Sequence, residues 1–475
     1  MERRTFLKLS GLTALSALTY NRMWAQATAG SRPNILLIMC DELFADAMSC
    51  RCGSEFLKTP AMDSIAEEGM TFTKAYAANP ICMPSRTCMM TGFYPHQTNI
   101  QTNGGKGNKD LNAKPYVQVF KEAGYDTGYV GKWHIQKLFA TPKDFNFCKF
   151  NSHQGIDRKI VPPIVDFMKQ KRDKPFLAVC SFSNPHNICE WARDQEKAKL
   201  KDGDVGTPPP LEQLPPLRAN HDNPKGETDT ILKMQELYHK TKKFPVGKYS
   251  VHDWRKYIWA YYRMCELVDG HIGDLLKGLK ETGKENDTVV IFLSDHGDAM
   301  GSHKWNQKTV FYDESCRVPF IIKYGKTVKP GTTNDRLVCT GIDLLPTLCA
   351  FAGINPPSRV PGMSIKDTAE GKLNEDPRNY IVSQNHFTTK GLKEIAGERM
   401  AYGRMIRSNR FKYCLYDFGE RRESLIDMEK DPGEMLNLAY DPAYKDVLKQ
   451  HRQYYLEWRE KYKDDDFPLP PKNNA

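Results

Sequence analysis

Three continuous apolar runs of strand length constrain this chain more than any other feature, because each closes on residues able to hold a metal or move a proton. Residues 35–39 end at Asp41-Glu42, residues 176–182 deliver Asn184-Pro185-His186, and the strongly β-branched run 288–294 ends at Asp295-His296-Gly297-Asp298. Runs without polar alternation are buried on both faces, as in the parallel sheets of α/β proteins. Ligands in such open sheets gather beyond the carboxyl ends of the strands. Carboxylate and imidazole after 294 therefore meet Asp41 across neighbouring strands, and oxygen-rich ligation with one nitrogen suits a divalent cation: Ca²⁺ or Mg²⁺ by the carboxylates, Mn²⁺ or Zn²⁺ by the imidazole.

The segments between these runs fit the same plan. Thr59-Pro60 opens a helix over 61–68 closed by Gly69, residues 70–77 return as a strand, 115–123 form a helix and 125–130 a strand. A long helix over 253–279 carries Ile258, Tyr261, Tyr262, Cys265, Val268 and Ile272 near a helical period, residues 317–322 form another strand, and Asp343 begins a helix. Residues 193–251 are polar and loop-like, with Pro208-Pro209-Pro210 and Pro215-Pro216, an excursion from the core. Beyond about residue 376 the strands shorten (380–383, 400–408, 410–416, 423–427), and a helix over 444–462 ends the chain. The expected fold is α/β: a large mixed, mostly parallel central sheet flanked by helices, plus a smaller C-terminal antiparallel sheet with a helix. At 475 residues the chain exceeds a single core, so residues 28–375 are expected as the main domain and 376–475 as a subdomain.

Residues 1–27 read as an export signal. Arg3-Arg4-Thr5-Phe6-Leu7-Lys8 precede an apolar stretch, and Ala25-Gln26-Ala27 offers small residues for cleavage. The arginine pair is of twin-arginine type, which predicts a periplasmic or secreted protein. Removing this segment leaves about +7 of the formal charge of +10, an excess that suits anionic ligands. No basic run interleaved with aromatics points to nucleic acid, and no apolar stretch of the mature chain is long enough to span a membrane. Thirteen cysteines without regular spacing argue against a disulfide framework.

One stretch carries the chemistry. Pro84 suits the first turn of a helix and Gly92 its end, so 85–91 reads as a short helix with Cys82 just before its N-terminus, where unpaired N–H groups lower a thiol's pKa or hold an anion. The string Cys82-x-Pro84-Ser85-Arg86 with Met90-Thr91-Gly92 resembles the signature of the type I sulfatases, in the alkaline phosphatase superfamily. Gly131-Lys132-Trp133-His134, the Pro185-His186 pair, Ser294-Asp295-His296-Gly297 and the segment from Lys308 to Ser315 match further motifs of that family, so the resemblance covers nearly the whole mature chain.

The resemblance implies that a maturation enzyme oxidises Cys82 to formylglycine, whose hydrate is the nucleophile. It implies one calcium ion on Asp41, Glu42, residue 82, Asp295 and His296, with Glu42 standing where the family has a second aspartate. Arg86, Lys132 and Lys308 would screen the sulfate oxygens, with Lys304 as the less favoured alternative to Lys308. His186 or Lys308 would protonate the leaving oxygen, and His134 would take a proton as the aldehyde re-forms. On a strand-like segment Lys132 and His134 project to the same side. The expected substrate is a sulfate ester on a carbohydrate, such as a glycosaminoglycan or other polysaccharide fragment, with His386, Arg404 and Arg407 as C-terminal candidates for contacting it. Two alternatives stand beside this reading: a phosphonate or phosphate ester hydrolase of the same superfamily, and a non-catalytic protein that binds sulfated glycans.

Overall fold

The apolar runs become strands of one sheet: β1 (Asn34–Asp41), β2 (Met70–Tyr76), β3 (Asp126–Gly131), β4 (Phe147–Lys149), β5 (Phe176–Pro185), β6 (Thr288–Ser294), β7 (Phe320–Lys323) and β8 (Thr332–Cys339). The computed structural model describes residues 32–150, 156–200, 202–241, 245–373, 376–387 and 401–471. The export signal expected over 1–27 lies outside them. Strand order is β4-β3-β5-β1-β6-β7-β2-β8. Pairing is parallel except on the two sides of β7. The four neighbours β3, β5, β1 and β6 therefore finish at the same edge, and this places Lys132, His186, Asp41 and Asp295 side by side.

Alternation along the strands splits the core into two layers. Leu36, Ile38, Ala178, Cys180, Val290 and Phe292 face one helical layer; Leu37, Met39, Leu177, Val179, Ile291 and Leu293 face the other. All are fully buried or nearly so, and each large aliphatic or aromatic side chain among them contributes roughly 1.5–3 kcal/mol through burial. The helices are α1 (Pro60–Glu68), α2 (Cys82–Thr91), α3 (Tyr116–Glu122), α4 (Val161–Lys169), α5 (Ile188–Asp194), α6 (Asp229–His239), α7 (Val251–Glu281) and α8 (Thr340–Ala352). The first layer includes Ile258, Tyr261, Cys265, Val268 and Ile272 of α7, with Tyr262 of the stripe read from the sequence only partly buried against it. The second includes Val117 and Phe120 of α3 and Leu344, Leu345 and Leu348 of α8.

A second sheet, antiparallel and ordered β12-β11-β10-β9, contains β9 (Tyr380–His386), β10 (Tyr402–Ser408), β11 (Phe411–Tyr416) and β12 (Glu423–Asp427). Helix α9 (Lys445–Tyr462) packs Leu448, Tyr455 and Trp458 into its core with Met405, Tyr413 and Leu415. Lys412, 1% exposed, pairs with Asp313 and with Glu434 at 2.8 Å, joining this sheet to the loop after β6. Both sheets thus have the expected class.

Three local expectations change. The polar excursion contains α6, because its prolines cluster at 208–216 whereas Ile231, Met234, Leu237 and Tyr238 recur at helical spacing and are buried; Thr228 caps the helix by accepting from the Ile231 N–H. Strand β8 lacks a strand signature because its first half, Thr-Thr-Asn-Asp, lies at the sheet edge and is partly exposed. The segment after β3 is not extended: Gly131 has φ 110° and His134 φ 46°. The same-side argument for Lys132 and His134 therefore fails, although both side chains are buried.

Asp157 holds the end of β5 by accepting the N–H groups of Ser183 (2.7 Å) and Asn184 (2.8 Å). Burial pushes its carboxyl up to about 7, against the lowering effect of those two donors. Between the ordinary carboxylate range and pH 7 the folded protein therefore holds a proton that the unfolded chain has released, so this group's stabilisation is full at low pH and falls as pH rises through 7. Relative to wild type, Asp157→Asn should gain stability on going from pH 5 to pH 8; urea midpoints at both pH values check this, and an unchanged difference would refute it.

Candidate active site

Helix α2 begins at Cys82 itself, three residues earlier than the helix over 85–91 read from the sequence, with Ile81 as its extended cap residue. The Cys82 sulfur lies 3.1 Å from His296 Nε2 and 3.7 Å from an Asp41 oxygen. His134 and His186 lie close enough to interact with it. Burial pushes the thiol up, but Lys308, Lys132 and His296 overcome this and hold it well below its ordinary range. Burial pushes His186 down to about 3, with Lys132 and Lys308 adding to the effect, so its imidazole is neutral at neutral pH. His296 behaves oppositely: burial lowers it, but Asp295 and Cys82 raise it to about 9.

Charges alternate beneath the sulfur. Lys132 Nζ is 2.6 Å from Asp41, Asp41 is 3.0 Å from Arg86 Nη2, and Arg86 Nε is 2.6 Å from Asp295, with every one of these side chains at most 2% exposed. The remaining donors of Arg86 reach the Lys132 carbonyl and Ser181 Oγ. Asp295 also accepts the N–H groups of Glu42 (3.2 Å) and His296 (2.9 Å). Burial and the Cys82 charge push the Asp41 carboxyl up, yet Lys132 and Arg86 outweigh them and keep it ionised.

Donor atoms of Asp41, Cys82, Asp295 and His296 all lie within 4.8 Å of one another. Glu42, at φ 71°, turns away from them into a second group with His186 and Cys189. Its Oε2 lies 2.7 Å from Lys308 Nζ and 3.4 Å from Cys189 Sγ. Its Oε1 is buried and accepts no hydrogen bond from the described residues. Two adjacent buried carboxylates and this orphaned oxygen are the donor chemistry that a hard cation takes.

A family model described as Sulfatase matches residues 33–354. The chain belongs to the sulfatase family. A second model, N-sulphoglucosamine sulphohydrolase, C-terminal, matches residues 301–461 of this sulfatase. It is 31% identical over 461 residues to the Delta 4,5-hexuronate-2-O-sulfatase of Bacteroides thetaiotaomicron, covering 93% of this chain and 92% of that protein. It is 27% identical over 499 residues to an N-acetylglucosamine-6-O-sulfatase of the same organism, at 92% and 88% coverage. The solved structure of a 2-O GAG sulfatase superposes with a TM-score of 0.79 at 29% identity, covering 93% and 95% of the two chains.

The ten residues assigned from the sequence to catalysis or the metal lie in this one region, and the four further candidates lie outside it. Arg86 has Nε, Nη1 and Nη2 engaged within the protein, so in this sulfatase it holds Asp41 and Asp295 rather than facing a substrate. Lys304 lies on the surface beside Asp222, 3.0 Å away, and Lys308 is the buried cation. Arg404 is bound to Asp464 at 2.6 and 2.9 Å, and Arg407 to the Tyr76 hydroxyl at 3.0 Å; both are buried structural groups. His386 stacks on Tyr402 at 3.8 Å. Sequence reasoning missed Ser181, which lies in no recognisable motif; only the convergence of β5 on the site brings it in. Cys189 is placed beside the substrate by the sequence only because it follows His186, and the structure brings its Sγ to 3.4 Å from Glu42.

Gly131 makes the turn that carries Lys132 to Asp41. Its φ of 110° favours glycine, and an added Cβ would sit 2.0 Å from the Ser181 carbonyl oxygen. Gly131→Ala should destabilise the fold by more than about 1 kcal/mol and displace Lys132. A melting curve and kcat on an aryl sulfate check this; a variant that melts and turns over like wild type would show that the turn tolerates a side chain.

Proposed function

We propose that this sulfatase hydrolyses a sulfate ester on a sugar of glycosaminoglycan type, using formylglycine made from Cys82 and one calcium ion. The observation that carries the proposal is the setting of Cys82: the first residue of α2, its sulfur 3.1 Å from His296 Nε2 and 3.7 Å from Asp41, its thiol held low against burial by two buried lysines that are themselves paired with Asp41 and Glu42. The names of its relatives support the substrate class. Export to the periplasm belongs to the same proposal, as does a division into a catalytic domain (28–375) and a C-terminal subdomain.

Formylglycine at position 82 would supply, as its hydrate, one hydroxyl as nucleophile toward sulfur and a second hydroxyl whose deprotonation would let the aldehyde re-form with the C–O bond to sulfate breaking. Calcium supplies positive charge for the nucleophile and the sulfate oxygens. Asp41, Asp295 and His296 would hold the ion, with the oxygen of residue 82; the free Oε1 of Glu42 makes it the remaining candidate. Lys132 and Lys308 add fixed charge where the sulfate sits. His186, being neutral, hydrogen-bonds there, and the Lys308 ammonium gives a proton to the leaving oxygen. His134, close to residue 82, is placed to take the proton of the second hydroxyl.

Mass spectrometry of the tryptic peptide from Ala75 to Arg86, from a host with an active formylglycine-generating enzyme, tests the nucleophile. A mass matching CHO in place of CH₂SH is expected, and fully reduced cysteine would sink the proposal. For the ion, adding Ca²⁺ to chelated protein should raise the melting temperature of wild type and leave Asp295→Ala unmoved. Equal shifts in both would place calcium elsewhere.

A further inference from the structure

Two loops meet over the candidate site, and both carry buried amides that the protein leaves unpaired. The first is His186-Asn187, leading into Cys189 in the first turn of α5, and the second runs from Met300 to Thr309. His186 Nε2 (3.8 Å), Cys189 Sγ (3.4 Å) and Lys308 Nζ (2.7 Å) all approach the same Glu42 oxygen. The second loop also touches the segment before the nucleophile, through the Thr309 N–H and the Pro80 carbonyl at 3.2 Å. Within these loops Asn187 Nδ2, Asn306 Nδ2 and Trp305 Nε1 are buried and find no acceptor among the described residues. The three side chains belong to residues only 4%, 2% and 1% exposed. An unpaired buried donor is costly, and most are satisfied in folded proteins. Trp305 packs away from the site against Tyr238 and His239; Asn187 and Asn306 remain, one position after His186 and two before Lys308.

The second loop is held in an unfavourable shape. Met300, His303, Lys304, Gln307 and Thr309 all have left-handed φ values between 51° and 85°, and none is glycine. Such conformations persist only when the surroundings over-determine them, and they gather at ligand sites. Here the surroundings come from the excursion and from α7. The Asn220 carbonyl accepts the His303 N–H at 2.7 Å, Gln235 Nε2 donates to the His303 carbonyl at 2.7 Å, and Arg218 Nε donates to Ser302 Oγ at 2.8 Å. The Tyr257 hydroxyl accepts the Gln307 N–H at 3.3 Å. A loop fixed at this many points cannot relax to find Asn306 a partner within the protein.

We infer that Asn187 and Asn306 are specificity-determining residues whose carboxamides donate hydrogen bonds to acceptor oxygens of the sugar that carries the scissile sulfate. The inference rests on the sulfated-saccharide reading of this site. Each amide follows or precedes a residue assigned to the sulfate, one position after His186 and two before Lys308; on this inference a sugar linked through the leaving oxygen would lie between them. Donor-only groups select ring, hydroxyl or carboxylate oxygens, and a site built to donate a hydrogen bond discriminates strongly against substrates that lack the acceptor. An aryl sulfate has no such oxygens beyond the sulfate itself.

The test compares wild type, Asn187→Ala, Asn306→Ala and the isosteric Asn306→Asp on an unsaturated 2-O-sulfated hexuronate disaccharide, on N-acetylglucosamine 6-O-sulfate and on 4-nitrophenyl sulfate. The readout is kcat/KM on the better saccharide divided by kcat/KM on the aryl ester. Each variant should lower this ratio at least about tenfold. Asn306→Asp keeps the shape while replacing the donor with an acceptor, so it decides the case if the alanine variant does not fold. A parallel loss on both kinds of substrate, or a ratio that stays put, would overturn the assignment while leaving the saccharide reading intact. Wild type that turns over the aryl ester and neither saccharide would overturn both.

Discussion

Replacing Cys82 with alanine should lower kcat on any sulfate ester by at least about 10⁴-fold, the scale seen when a covalent nucleophile is removed. No described neighbour can take over: the nearest side chains are imidazoles, ammonium groups and carboxylates already committed to one another. The fold should survive, because the change removes one atom from a residue at the start of α2 and leaves the charge network of Arg86, Asp41 and Asp295 intact. Turnover and far-ultraviolet circular dichroism measured on the same preparation check both halves. Equal turnover at background by wild type and variant would instead support a protein that binds sulfated glycans without cleaving them.

Arg86→Ala should be the most destabilising single change in the site, by about 3–5 kcal/mol, because it leaves charge buried and uncompensated. Asp41 would keep Lys132 at 2.6 Å, but Asp295 would lose its only close cationic side chain other than His296. The guanidinium also reaches the Lys132 carbonyl and Ser181, so its loss loosens β3 and β5 at the edge where they carry Lys132 and His186. Arg86→Lys keeps one charge but cannot span two carboxylates, and should fall between the two. Urea unfolding of chelated protein measures the effect. A loss below about 1 kcal/mol for Arg86→Ala would mean that the carboxylates are neutralised by protons instead.

Much of this was legible along the chain. Runs without polar alternation required buried strands, and their ends collected Asp41, His186 and Asp295. The Cys82 to Gly92 string and the Gly131 to His134 string named the chemistry through resemblance. Helix α6 and strand β8 were less legible, one hidden behind a proline-rich stretch and the other too polar at its exposed end. Ser181 carried no signal, because a serine inside a buried strand belongs to no motif of the chain.

The sequence by itself determined the fold class and which strand ends meet, because periodicity and length report burial directly. It also named every residue type the proposed reaction needs. Only the tertiary structure decided what each group does. Arg86 turns inward because two carboxylates delivered by β1 and β6 reach it first. Glu42 faces Lys308 because its backbone takes a left-handed turn. Asn187 and Asn306 stay unpaired because loops 119 positions apart in sequence converge on one Glu42 oxygen and are held there by residues of the excursion and of α7. Such outcomes depend on distances between segments remote in the chain and on backbone angles of single residues, and neither leaves a periodic trace.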